Sequence, residues 1–129
     1  MFYSNAEKFI VENRSKPFFV ELALSAPHLP EYPPTEFKGK STHGPYGDVV
    51  SEIDAIVGRL LNKLKELKLD QNTIVIFTSD NGPWYEGSTG ILRDRKGGAS
   101  YDGGYHVPFI AWAPGFIKPG TPRTPLSAV

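Results

Sequence analysis

The feature that most constrains the fold is a long amphipathic helix pattern between two apolar segments. Apolar residues recur at helical spacing from about Pro45 or Asp48 to Lys68, with charged residues on the other face. Phe18 to Leu24 precede this pattern and Thr73 to Thr78 follow it, and both segments have strand character. This order predicts a βαβ unit with parallel strands and a right-handed crossover. We therefore expect an α/β fold, with helices covering the sheet.

Three further elements complete the predicted order. A capping box with Ser4 as N-cap and Glu7 as its partner predicts a first helix that buries Phe9 and Ile10 and ends near residues 13–16. The proline-rich stretch before the long helix predicts a long ordered loop. A last strand is expected over residues 107–112.

Composition narrows the class of protein. The 129 residues suffice for one domain, and 14 basic residues balance 14 acidic ones, so charge indicates no nucleic-acid partner. No apolar run reaches the roughly 20 residues of a membrane span. The absence of cysteine excludes disulfides and thiolate metal sites. The amino-terminal residues lack the pattern of a signal peptide, and the sequence assigns no location.

Polar residues follow both predicted parallel strands. Asp80 and Asn81 come just after the second strand in TSDNG, and His28 comes just after the first in SAPHLP. Ligands of such sheets bind outside the carboxyl ends of the strands. Carboxylate and amide oxygens suit Ca²⁺ or Mg²⁺, although two fall short of the roughly six to eight that Ca²⁺ takes. An ordinary turn at TSDNG and a structural role for the histidine remain open alternatives.

A basic, glycine-rich segment follows, GILRDRKGG at residues 90–98. Glycine-rich backbone beside lysine or arginine can bind phosphate or sulfate, but the spacing is not that of a P-loop. A solvated loop is the alternative. Trp84 and Tyr85 either line a substrate cleft or hold the loop in place, and His43 and His106 are interpreted as structural or surface residues.

Three stretches taken together resemble the sulfatase family, in particular its arylsulfatase A-like members of the alkaline phosphatase superfamily. They are PFFVELALSAPHLP, GPYGDVVSEIDAIVGRLLNKLKELKLDQNTIVIFTSDNG and GSTGILRDRKGGASYDGGYHVPFIAWAPG. The resemblance covers nearly the whole chain in the family's order. It implies an alkaline-phosphatase-like α/β fold and hydrolysis of sulfate esters by a formylglycine nucleophile with Ca²⁺.

The resemblance also implies roles for individual residues. Asp80 and Asn81 match metal ligands, His28 matches the histidine that contacts the sulfate or its leaving oxygen, and Lys96 matches a lysine that binds a sulfate oxygen. Counting back from the Y-D-G-G motif places Gly97 at the lysine position instead. The expected ligand is a sulfated small molecule or saccharide.

The sequence lacks two features that the resemblance to the family leads one to expect. No C-x-P-x-R or S-x-P-x-R motif occurs, and the aspartate pair expected to complete the metal site is absent. We therefore expect residues 1–129 to be a carboxy-side part of a sulfatase catalytic domain, without the nucleophile segment and the smaller C-terminal subdomain, and inactive alone. Its sheet edges are expected to favour self-association. The alternatives are a phosphate or phosphonate ester hydrolase of the same superfamily and a non-catalytic binder of sulfated ligands.

Overall fold

Two helices packed against each other provide most of the core in the computed structural model, which describes residues 2–98 and 100–120. Helix α1 spans Phe2–Asn13 and helix α2 spans Gly44–Glu66. Their apolar stripes supply nearly all of the buried apolar side chains: Ala6, Ile10, Val49, Ile53, Ile56 and Leu64. The amphipathic pattern of α2 thus predicted both the helix and the face that it buries.

Helix α1 begins earlier than the capping box predicted. Because it starts at Phe2, Ser4 lies inside the first turn and the predicted N-cap is wrong. Ala6 and Ile10, one helical turn apart, are its buried residues, whereas Phe9 is 43% exposed. The position next to Ile10 is rotated by about 100° around the helix, which turns Phe9 away from the core.

Helix α2 ends in a Schellman motif. Lys68 adopts a left-handed conformation with φ of 57° just after the C-cap. The amide of Leu69 donates to the Leu64 carbonyl at 2.9 Å, and the amide of Lys68 donates to the Lys65 carbonyl at 3.0 Å. This turn reverses the chain into a single 3₁₀ turn at Asp70–Asn72 that leads to the sheet.

The sheet of the described residues has two antiparallel strands. Strand β1 spans Val75–Thr78, helix α3 spans Asp102–Tyr105, and strand β2 spans Phe109–Trp112. In the ladder Val75 pairs with Trp112 and Thr78 pairs with Phe109. Both strands lie within their predicted ranges, while α3 was not predicted because its sequence is rich in glycine.

The predicted parallel pairing is not found. Residues 18–24 are extended, and their side chains alternate between half-buried and exposed, as in a strand. They join no ladder, because the sheet of the described residues contains β1 and β2 alone. The pattern correctly indicates an extended backbone, but a strand also needs a neighbour to receive its hydrogen bonds, and an apolar pattern does not identify that neighbour.

Both faces of the two-stranded sheet are apolar. Ile76 and Phe109 lie on one face and are 56% and 66% exposed, while Ile110 on the other face is 60% exposed. Such two-sided hydrophobicity is typical of a sheet that has helices on both faces. Among the described helices, none is long and apolar enough to cross a membrane.

Candidate functional site

The loop after β1 turns sharply at TSDNG. The Ser79 hydroxyl donates to the Asn81 carbonyl at 3.1 Å, and its contact with the Asp80 carboxylate is 3.5 Å. Asp80 is exposed and Asn81 is half-buried. The serine hydroxyl therefore bonds to the backbone of the turn, and the Asn81 amide has no hydrogen bond among the described residues.

Glycines join this loop to the segment before β2. The Gly82 amide donates to the Gly104 carbonyl at 2.8 Å, and the Gly103 amide donates to the Arg93 carbonyl at 2.9 Å. A Cβ on Gly82 would collide with the Gly103 carbonyl oxygen, and one on Gly103 would collide with the carbonyl oxygens of Arg93 and Asp94. The close backbone packing explains why glycine stands at both positions.

The basic segment forms a turn against the same loop. Asp94 has a φ of 66°, and its carboxylate accepts a hydrogen bond from the Arg95 amide at 2.9 Å. Two residues on, the Lys96 amide donates to the Pro83 carbonyl at 3.0 Å. The turn therefore places Lys96 beside the loop that carries Asp80.

The next residue, Gly97, has a φ of 78°, and its Cβ position lies 3.5 Å from the Trp84 ring. Gly97 is exposed but has no side chain to offer a ligand. Of the two candidates from the sequence, Lys96 is the one with a functional group next to the TSDNG loop.

Neither charged side chain is neutralised by a neighbour. The salt bridges among residues 2–98 and 100–120 involve neither Asp80 nor Lys96. The same residues contain no group of three histidine, aspartate or glutamate side chains able to hold a metal. The two adjoining loops can thus offer hard oxygen ligands and a cation, but not a complete metal site.

His28 lies in the proline-rich loop that follows residues 18–24. Its Nδ1 is 2.8 Å from the Leu29 carbonyl oxygen. A carbonyl oxygen can only accept, so Nδ1 carries the proton and Nε2 is the nitrogen available to a ligand. The ring borders a groove of about 400 Å³ that Tyr3 and Arg59 also line, the latter with its guanidinium 5.0 Å from the Tyr3 ring centre.

None of the described contacts joins His28 to Asp80, Asn81 or Lys96, and none of these three lines the groove. The described hydrogen bonds thus join the loop of Asp80 and Asn81 to that of Lys96, and the place of His28 in the same site stays a prediction.

Asp48 has a role that the sequence did not reveal. The buried carboxylate accepts hydrogen bonds from the amides of Gly39, Lys40 and Ser41 at 2.7, 3.1 and 2.8 Å. The bonds from Ser41 and Gly39, with a smaller one from Lys40, lower the pKa of Asp48 although burial opposes them. From the sequence, Asp48 was only an acidic residue near a helix start. The available signal for its burial was its position next to Val49, which is buried.

The comparisons with known proteins agree on one family. The sulfatase family model matches residues 1–129. An N-acetylgalactosamine-6-O-sulfatase of Bacteroides thetaiotaomicron is 36% identical over 140 residues, covering 98% of this chain and 27% of that protein. Human arylsulfatase A is 40% identical over 114 residues, covering 84% of this chain and 22% of that protein.

A solved structure gives the same result. A sulfatase described in the metabolism of multiple glycosaminoglycans by B. thetaiotaomicron superposes with a TM-score of 0.85 and 37% identity. The match covers 91% of this chain and 27% of that one. The α/β, alkaline-phosphatase-like fold class predicted from the sequence is thereby confirmed.

The architecture therefore belongs to the α/β, alkaline-phosphatase-like class of folds. The chain belongs to the sulfatase family, which confirms the resemblance drawn from the sequence. It spans about a quarter of the length of the relatives that it matches.

Proposed function

We propose that this chain is the carboxy-side part of a sulfatase catalytic domain and contributes to hydrolysis of sulfate esters. The observation that carries the proposal is the hydrogen bond from the Lys96 amide to the Pro83 carbonyl. This bond places Lys96 next to the loop that carries the Asp80 carboxylate and the Asn81 amide. Lys96 has no acidic partner among the described residues. An ester sulfate needs both a cation for its oxygens and charge stabilisation at its reacting centre.

Lys96 and His28 would act on the substrate directly. The ammonium of Lys96 would hold a sulfate oxygen and reduce the repulsion between the sulfate and an attacking nucleophile. Nε2 of His28 would donate to the sulfate or to the leaving oxygen. Because Nδ1 carries a proton, Nε2 can donate only when the ring is the imidazolium, so this step would need the protonated histidine.

Asp80 and Asn81 fit a calcium ion as a partial ligand set. Both offer oxygen donors of the kind that Ca²⁺ prefers, they are adjacent in a turn after a strand, and neither side chain forms a salt bridge within the described part of the chain. A bound Ca²⁺ would neutralise negative charge on the sulfate as a Lewis acid. The remaining calcium ligands would come from residues other than Asp80 and Asn81.

The nucleophile is expected to come from outside this sequence. The family's formylglycine arises in C-x-P-x-R or S-x-P-x-R, and neither motif occurs in the 129 residues. We therefore propose that the chain alone binds ligands weakly and does not turn over a chromogenic aryl sulfate above background. The relatives' names, an N-acetylgalactosamine-6-O-sulfatase and an arylsulfatase, support a sulfated sugar or aryl sulfate as substrate.

Binding measurements on the 129-residue chain test these roles. Isothermal titration or NMR titration with Ca²⁺ should show binding that Asp80→Asn removes and Asp54→Asn, an exposed control on α2, retains. Titration with inorganic sulfate should show binding that Lys96→Met weakens about tenfold, the effect of losing roughly 1.4 kcal/mol. Lys38→Met, which removes an exposed lysine elsewhere, should bind sulfate like the unmodified chain.

A matched pair of monoesters separates the reaction classes. Phenyl sulfate should bind more tightly than phenyl phosphate, because a singly charged anion matches one lysine with a partial metal site. Preference for the phosphate would favour the phosphate or phosphonate hydrolase instead. Calcium-dependent turnover of an aryl sulfate by the pure chain would refute the proposed absence of activity.

A further inference from the structure

Two aromatic side chains and an arginine stand next to Lys96 without a role in the proposed chemistry. The rings of Trp84 and Tyr85 meet edge to face, with centroids 4.7 Å apart and planes at 84°. Trp84 is 43% exposed and Tyr85 is 69% exposed. Two large rings in contact, with this much surface open to solvent, are more than a loop anchor requires.

Arg95 belongs to the same cluster. Its guanidinium lies 4.4 Å from the Tyr85 ring centroid, in a cation–π contact. Both hydrogen bonds described for Arg95 are made by its backbone, so among the described residues the guanidinium donates to no acceptor. Tyr85 thus contacts both the Trp84 indole and the Arg95 guanidinium, and it fixes their positions relative to each other.

The cluster is fixed beside the candidate sulfate-binding lysine by backbone contacts on both sides. Trp84 follows Pro83, whose carbonyl accepts the Lys96 amide at 3.0 Å. The indole also lies next to Gly97, whose Cβ position is 3.5 Å from the ring. Arg95 directly precedes Lys96 in the chain. Trp84 and Arg95 therefore adjoin the residue that is proposed to bind the sulfate.

We propose that Trp84 and Arg95 form a subsite for a pyranose ring that carries the sulfate ester, with Tyr85 as the positioning residue. This inference rests on the proposed function of Lys96. The apolar C–H face of a sugar packs on the exposed indole, and its hydroxyl groups accept hydrogen bonds from the guanidinium. A plain aryl ring would use the indole but would give the arginine no acceptor, so the pair favours a sugar.

Tryptophan fluorescence isolates the subsite. The chain has two tryptophans, and Trp112 lies in β2. Trp112→Phe therefore leaves Trp84 as the one indole reporter. This background is titrated with N-acetylgalactosamine 6-sulfate, unsulfated N-acetylgalactosamine, phenyl sulfate and inorganic sulfate. The sulfated sugar should change the emission and bind more tightly than sulfate alone.

Variants then separate the parts of the subsite, with affinities measured by NMR or calorimetry. Trp84→Ala should weaken the sulfated sugar about tenfold, the equivalent of one ring contact, and leave inorganic sulfate within about twofold. Arg95→Met should weaken the sulfated sugar but not phenyl sulfate. Ile91→Ala, at a fully exposed position of the same segment, is the control. Far-UV circular dichroism and thermal melting verify that each variant folds.

The outcomes distinguish this inference from the proposed function. If inorganic sulfate binds and Lys96→Met weakens that binding, while Trp84→Ala and Arg95→Met leave the sugar preference intact, the subsite is overturned and the sulfate site stands. Equal loss of sulfate and sugar in Trp84→Ala would also overturn the subsite, since the ring would then only support the lysine. If neither sulfate nor sulfated sugar binds, both proposals fall.

The indole resonance of Trp84 in ¹H–¹⁵N spectra tests the same subsite without an alanine variant. A sugar that packs on the ring should shift this resonance as the sulfated sugar is added. A sugar that binds while the Trp84 resonance stays in place would lie elsewhere on the chain, and the subsite would be overturned.

Discussion

The amide of Gly82 donates to the carbonyl of Gly104 at 2.8 Å, and this bond joins the loop after β1 to the helix before β2. With the bond between Gly103 and Arg93, it sets the position of the basic turn relative to the TSDNG loop through the backbone alone. Side chains at the candidate site are therefore left available for ligands. A site built in this way should be sensitive to the smallest change in backbone packing.

Gly103→Ala should destabilise the chain. The new Cβ would meet the carbonyl oxygens of Arg93 and Asp94, and backbone atoms cannot move aside as a flexible side chain can. We expect a loss of about 1–3 kcal/mol in the free energy of unfolding, the range for overpacking. Urea denaturation at neutral pH measures it.

Gly58→Ala is the matched control for that substitution. Gly58 is an exposed position in α2 with nothing within 4 Å of its Cβ position. Alanine there should raise the free energy of unfolding by about 0.5–1 kcal/mol, because glycine loses more entropy in a helix. Equal losses at the two positions would show that the glycine packing described above is not what constrains Gly103.

Asp48→Asn should make the chain less stable at pH 7 and less sensitive to acid. The hydrogen bonds from Ser41 and Gly39, with a smaller contribution from Lys40, lower the pKa of Asp48 in the folded state below its usual value of 3.8. The stabilisation is therefore complete above that usual value and is lost as the pH falls through the folded-state pKa. The difference in the free energy of unfolding between the unmodified chain and Asp48→Asn is the gap to measure. This gap should be constant from neutral pH to about 5 and should close below about 4.

Urea denaturation from pH 7 to pH 2.5 measures this closing gap. Asp54→Asn removes an exposed carboxylate from the same helix and should follow the pH profile of the unmodified chain. A gap that persists undiminished at the lowest pH would mean that Asp48 acts through its shape rather than through its charge.

The sequence predicted what depends on local pattern. The apolar repeat of α2 follows directly from helical geometry, and the strand positions of β1 and β2 follow from their β-branched and aromatic residues. The loop at Asp80 was identified as a candidate because polar residues directly after an apolar strand are easy to see. These features involve neighbours within a few positions along the chain.

What the sequence missed depends on contacts between distant segments. Asp48 looked like an ordinary acidic residue at a helix start, because its partners are amides of a loop whose path the pattern does not give. The extended segment before the proline-rich loop was assigned a partner strand that the described residues do not supply. The role of Gly103 was hidden for the same reason, since a glycine in a loop does not show which backbone approaches it.

Lys68→Gly should stabilise the chain. Lys68 holds a φ of 57° at the end of α2, a conformation in which its Cβ is strained and glycine is not. The relief, reduced by the greater entropy of glycine in the unfolded state, should raise the free energy of unfolding by about 0.5–1 kcal/mol. Lys68→Ala removes the same charge but keeps a Cβ, so it should give no such gain. If both variants gained equally in urea denaturation, charge rather than backbone strain would be the cause.

The uncovered sheet faces should make the isolated chain associate with itself. Ile110 is 60% exposed and pairs across the ladder with Phe77, so the two side chains form an apolar surface with no covering element among the described residues. Sedimentation velocity should show association that increases with protein concentration, in keeping with the edges and faces of an open sheet.

Ile110→Lys should raise the midpoint concentration of this association about tenfold, since each 1.4 kcal/mol of lost apolar contact is a factor of ten. Ile91→Lys introduces the same charge at a fully exposed loop position and should leave the midpoint unchanged. A chain that stays monomeric at every concentration, or an equal response to the two lysines, would show that the sheet surface does not drive association.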